Sequence, residues 1–125
     1  MRRLATVAML VCLILTPALV VQSAGTKGSK DSQVEEGYVK TRDGVRLFYQ
    51  KIGSGNQTVI IPAALFLTRD FRQLADGRTL IFYDMRNRGR SDAVKDLARV
   101  TIQEDVRDLE AIRAHFGVKR FSTIG

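Results

Sequence analysis

The chain has 125 residues, 45% of them apolar and 26% charged, which is enough for one compact domain and too few for two. A formal net charge of +7 raises nucleic acid or an anionic membrane surface as partners. The Lys and Arg residues are scattered among Asp and Glu rather than gathered in a block, the pattern of a solvated surface, so no nucleic-acid partner is expected.

Residues 1–24 read as a secretory leader. Arg2 and Arg3 give a basic start, residues 4–15 are almost wholly apolar, Pro17 breaks the run, and the small residues Ser23, Ala24 and Gly25 follow. Cleavage after Ala24 and cleavage after Gly25 both fit. The alternative is a retained anchor through residues 4–21, which approach the length of a bilayer span. Either way the expected destination is outside the cytoplasm, periplasmic or secreted. Cys12 is the only cysteine and lies inside this segment. A mature chain would then have neither disulfides nor thiolate metal ligands, and an ordinary core must hold it together. Residues 25–36, polar and rich in Lys, Ser and Gly, read as a linker, which puts the domain at residues 37–125.

Tyr38 and Val39 open a first strand, Arg42-Asp43-Gly44 supplies a turn with Gly where a positive φ is needed, and residues 45–50 alternate as a second strand, making a hairpin. After the loop Gly53-Ser54-Gly55-Asn56, residues 58–61 are apolar or β-branched throughout, as in a strand buried on both faces, and Pro62 ends the run. Residues 63–68 are ambiguous. Residues 70–74 read as a short helix closed by Gly77, residues 78–83 as another buried strand ending at Asp84, and residues 85–99 as loop with weak helical character.

Thr101-Ile102-Gln103-Glu104 matches a capping box, in which hydroxyl and carboxylate satisfy the free amides of a helix start. Ile102, Val106, Leu109, Ile112 and Phe116 follow at steps of three and four and form one apolar stripe, with Asp105, Arg107, Asp108, Glu110 and Arg113 mostly elsewhere. Gly117 is a natural stop, and residues 119–124 begin one more strand. Buried strands alternating with helices, opened by a hairpin, give the expected class: α/β, a mostly parallel sheet with an N-terminal antiparallel hairpin.

At Asp84-Met85-Arg86-Asn87-Arg88-Gly89-Arg90-Ser91 the chain resembles the α/β-hydrolase superfamily, many members of which carry Asp-x-Arg-Gly-x-Gly-x-Ser after the fourth strand. Asp84, Arg86, Gly89 and Ser91 match, and Asn87 replaces the first Gly. Gly89 permits a sharp loop, Asp84 and Arg86 are expected to pair across it, and Ser91-Asp92 to cap a following turn. The resemblance runs from Gly37 to Gly125 and implies a partial α/β-hydrolase fold. In the family the strand before the nucleophile enters Gly-x-Ser-x-Gly, and residues 121–125 resemble that strand plus its first Gly.

The resemblance thus implies the front part of an exported hydrolase, serine-type on ester, amide or epoxide bonds, with a small-molecule or peptide substrate. The chain itself would lack the catalytic triad and be inactive. Ser122 lacks the Gly two residues before it. His115, the only histidine, stands ahead of the expected nucleophile, where a structural or surface role is expected. Of the oxyanion hole only the loop after the third strand would be present, with Ala64 and then Ala63 as candidate amide donors. Pro62-Ala63 stands where the family commonly has His-Gly. No cofactor and no metal site are expected. The alternatives are a non-catalytic exported α/β module or degenerate remnant of such an enzyme, and a basic membrane-associated unit.

Overall fold

In the computed structural model the residues described are 34–62 and 64–124. The leader, its anchor alternative and residues 25–33 of the expected linker lie outside them, as do Ala63 and Gly125. None of the described helices is long and apolar enough to cross a membrane.

The elements follow one another as β1 (Val34–Lys40), β2 (Arg46–Ile52), β3 (Gln57–Pro62), α1 (Ala64–Phe71), a 3-10 turn (Arg72–Ala75), β4 (Arg78–Tyr83), a second 3-10 turn (Leu97–Arg99), α2 (Ile102–His115) and β5 (Ser122–Thr123). The strands form a single sheet in the order β1-β2-β4-β3-β5. β1 and β2 pair antiparallel through the turn at Gly44, whose φ is 88°, and β2 pairs antiparallel with β4. β3 runs parallel to both β4 and β5. This is the expected α/β class, with a hairpin at one edge.

Several boundaries differ from the sequence reading, by a residue or two in β2 and β3 and by more at three places. β1 begins at Val34, four residues ahead of Tyr38, because Val34, Glu35 and Glu36 pair with Ile52, Lys51 and Gln50. α1 begins at Ala64, six residues ahead of Asp70, without a capping residue to announce it. Its Leu67 and Phe71, four apart, pack on the sheet, while the expected helix over residues 70–74 is mostly the 3-10 turn. β5 is confined to two residues.

Alternation along the strands fills two cores. Leu47, Tyr49, Ile60, Ile81 and Tyr83 face α2 and meet Leu109, Ile112 and Phe116. Ile52, Ile61, Leu80 and Phe82 point the other way and meet Leu67 and Phe71 of α1. A right-handed crossover explains the division. The chain moves one way along the sheet from β3 to β4 and back across β3 to reach β5, so the two connecting helices must lie on opposite faces. The start of the β3–β4 pair is fixed by contact: the loop before β3 passes so near Gly77 that a Cβ on Gly55 would stand 2.0 Å from the Gly77 carbonyl oxygen. The Thr79 hydroxyl donates to the Gly55 carbonyl at 2.7 Å.

α2 is capped as expected at one point and not at another. The Thr101 hydroxyl accepts from the Glu104 amide at 3.3 Å, but the Glu104 carboxylate turns to Arg107 and, at 3.5 Å, to Arg86 instead of reaching back. At the other end the Gly117 amide donates to Ala114 and the Val118 amide to Arg113, a Schellman closure with Gly117 at φ 63°. The expected apolar stripe is turned relative to the sheet. Ile112 is fully buried, but Ile102 and Val106 are 77% and 60% exposed. The residue taking the inner face is Asp108, one turn before Ile112.

Candidate functional site

The loop after β4 is held by its backbone to the neighbouring strand. The Asp84 amide donates to the Phe48 carbonyl at 2.9 Å, and the Phe48 amide donates to the Ser91 hydroxyl at 2.8 Å. Ser91 in turn donates to the Asp84 carbonyl at 2.6 Å, so one hydroxyl closes the loop and extends the β2 ladder. The Asp84 carboxylate accepts from the Arg90 amide at 2.9 Å. The Asp92 carboxylate takes the Arg46 guanidinium at 2.9 Å and the Arg46 amide at 3.0 Å, and these bonds, the guanidinium's first, hold the Asp92 carboxyl below its usual range. Ser91 and Asp92 therefore seal the loop against β2 rather than capping a later turn.

Two residues in this loop take a left-handed backbone, Asn87 at φ 62° and Gly89 at φ 52°. Asn is the non-glycine residue best suited to that region, because its short amide bonds locally; here Oδ1 accepts from the Val94 amide. The departure from Gly at position 87 thus keeps the conformation a Gly would supply.

Arg86 does not pair with Asp84, contrary to expectation. Its side chain is 1% exposed, and it forks onto Asp108 with Nε to Oδ2 at 2.8 Å and Nη2 to Oδ1 at 2.6 Å. Nη1 donates to Asp43 at 3.2 Å and to the Arg99 carbonyl at 3.1 Å. Arg99 closes the circuit onto Asp43 at 2.5 Å. The hydrogen bonds to Asp108 outweigh desolvation and hold the guanidinium even more firmly protonated than usual. The Thr41 hydroxyl, followed by Arg86 and Arg99, keeps the Asp43 carboxyl below its usual range. Burial, with Asp108 nearby, pushes the Tyr83 phenol up. An open cleft of about 750 Å³ lies over this cluster, between the hairpin turn and α2. Asp43, Arg86, Glu104 and Asp108 line it with their charges engaged with one another or with Arg99 and Arg107, so the cluster fastens loop, hairpin and helix together.

Sequence reasoning missed Asp108. The signal available was its position four residues before Ile112, on the side of α2 that packs, together with an Arg in the preceding loop that needed a partner once buried.

Of the oxyanion candidates, Ala63 lies outside the described residues. Ala64 opens α1 directly beyond the carboxyl end of β3, among the amides that a helix leaves without an intrahelical partner. β5 runs beside β3 in the same direction. Ser122 is exposed in β5, paired in register with Val59. His115 lies tilted to the Tyr49 ring at 5.7 Å and edge-on to Phe116 at 4.8 Å, in the last turn of α2 and about 10 Å along the helix from Asp108. The structure brings neither Ser122 nor His115 to the carboxyl end of β3. Among the described residues no group of three or more His, Cys, Asp or Glu is arranged to hold a metal.

No protein-family model and no curated protein sequence matches the chain. Solved structures do. An alpha/beta hydrolase from Novosphingobium aromaticivorans is similar with a TM-score of 0.67 and 29% identity over 75% of this chain and 35% of its own. A proline iminopeptidase-related protein from Thermus thermophilus gives 0.67 and 22%, over 73% of this chain and 35% of its own. Epoxide Hydrolase A from Mycobacterium thermoresistibile gives 0.66 and 24%, over 74% and 31%. The last two speak for the fold alone. The chain spans about a third of the length of each.

Proposed function

This chain is related to the α/β-hydrolase superfamily, and we propose that it forms the front portion of an exported serine-type hydrolase. The observation that carries this reading is the sheet order β1-β2-β4-β3-β5 together with the loop of Asp84, Arg86, Gly89 and Ser91 sealed against β2. In such an enzyme a Ser activated by a His attacks a substrate carbonyl, and backbone amides hold the developing oxyanion. The contribution of this chain is a scaffold. α1 starts beside the end of β3, so the Ala64 amide is offered as one donor, and β5 aims the chain at the same end of the sheet. Nucleophile, acid and base would follow Gly125.

The test reads the coding sequence beyond codon 125 and labels the encoded protein with a fluorophosphonate. The expected result is Gly-x-Ser-x-Gly in frame, labelled on that Ser, with no labelling of the 125-residue chain. A stop codon at that point, or an intact elbow that never labels, favours the second reading: a non-catalytic exported module. What supports that second reading is Pro62-Ala63-Ala64 where the family commonly has His-Gly, since Pro has no amide to give and two Ala residues have less backbone freedom. Export rests on residues 1–24 and is tested separately, by sequencing the N-terminus of protein recovered outside the cytoplasm. The expected new terminus is Gly25 or Thr26, and a terminus at Met1 supports the anchor through residues 4–21.

A further inference from the structure

The outer edge of β1 carries a charge pattern that is complementary to itself. β1 ends the sheet among the described residues, and its seven residues pair with β2 without a bulge or a proline. A regular edge of this kind offers amides and carbonyls to another strand. Along it Val39 is buried toward α2, so Glu36, Tyr38 and Lys40 share the opposite face.

The charges on that face are unequally satisfied. Glu36 Oε1 takes Gln50 at 2.5 Å and Arg90 at 3.1 Å. Lys40 enters none of the ion pairs among the described residues. Its cross-strand neighbour is Arg46, a like charge already bound to Asp92. Tyr38 is 47% exposed, standing edge-on to Phe48 with the Arg46 guanidinium 5.3 Å from its ring.

From this pattern we infer that β1 is the interface between two copies of this chain, paired antiparallel about a two-fold axis at Tyr38. A closed pair needs an antiparallel arrangement in which each residue meets one on the same face. Centring on Glu36 or on Lys40 sets a charge against itself. Centring on Gly37 gives Lys40 only Val34, and centring on Val39 gives it only Tyr38. Centring on Tyr38 alone sets Glu36 of each copy opposite Lys40 of the other, twice, and brings the two Tyr38 rings side by side. Three features of the described residues, a lysine outside their ion pairs, a half-exposed ring and an edge without a neighbouring strand, are accounted for by one register.

Cysteine cross-linking in the full chain, with Cys12→Ser as background, reads this register directly. With Tyr38→Cys the two thiols lie on directly opposed residues, whose Cα atoms are about 4.5–5.5 Å apart, within disulfide reach. With Glu36→Cys each thiol faces Lys40, and the two are about 13 Å apart along the strands. Mild oxidation should give a disulfide-linked dimer for Tyr38→Cys and not for Glu36→Cys. Cross-linking of neither, or of both equally, overturns the inference, the latter because it reports unspecific association.

Charge reversal gives a second measurement. Lys40→Glu alone, which places a Glu opposite Arg46 and so leaves the hairpin intact, should weaken the dimer on the order of tenfold by sedimentation. Glu36→Lys alone should do the same, and the combination of Glu36→Lys with Lys40→Glu should restore it. Single reversals without effect, or a double reversal that fails to restore, also overturn the inference.

Discussion

Asp108 and Arg86 are each almost wholly withdrawn from water, so neither charge tolerates the loss of the other. Asp108→Ala should cost about 3–5 kcal/mol of unfolding free energy in urea. The apolar double replacement, Arg86→Met with Asp108→Leu, should cost clearly less, because it removes both charges together. Asn87 gives a different kind of dependence. Asn87→Ala should be about 1–2 kcal/mol less stable than Asn87→Gly, since only the former forces a Cβ into the left-handed region that the loop requires. Asp43 predicts the acid response. Its carboxyl lies below the ordinary 3.8, so its stabilising contribution is complete above that value and is lost as pH falls through the lower folded-state value. The thermal midpoint of Asp43→Asn should therefore fall less steeply than that of the native chain below about pH 4, and differ from it by a constant amount above about pH 5. None of this was legible at position 108. The stripe from Ile102 to Phe116 assigns Asp108 to the wet side, and only the fork of Arg86, from a loop 22 residues earlier, reverses that assignment.

The strands were legible because their burial is double-sided: Leu80, Ile81, Phe82 and Tyr83 are apolar in succession, and each is buried. The loop motif was legible as a motif, but its hydrogen bonds were not. Ser91 and Asp92 reach β2 more than forty positions upstream, and no local pattern encodes that distance. The start of α1 escaped for a simpler reason: no Ser, Thr, Asp or Asn precedes Ala64 to mark it. Thr101, which does mark its helix, should cost about 1 kcal/mol when replaced by Ala. Gly55→Ala should be a severely damaging loop change, because its Cβ would collide with backbone rather than with a side chain that could move. The expected readout is loss of the cooperative melting transition.

Across the sheet the support is uneven. β4 is flanked on both sides and covered by cores on both faces, whereas β5 meets β3 through only two residues. Hydrogen exchange should accordingly be slowest in β4 and β3 and fastest in β5, with the Ser122 and Thr123 amides exchanging well ahead of Ile81 and Phe82. Uniform protection from β2 to β5 would contradict this ordering.

The Arg86 cluster also sets a timetable. Asp43 precedes Arg86 by 43 residues and Asp108 follows it by 22, so a ribosome delivers the first carboxylate long before the second. Until Asp108 has cleared the exit tunnel, the guanidinium must stay wet, and the hairpin turn stays loosely tethered to the loop. The emergence of one helix is thus the event that latches two segments made earlier, and slow codons downstream of position 108, read while Asp108 is still in the tunnel, would prolong the interval in which the nascent chain is open to proteases and chaperones.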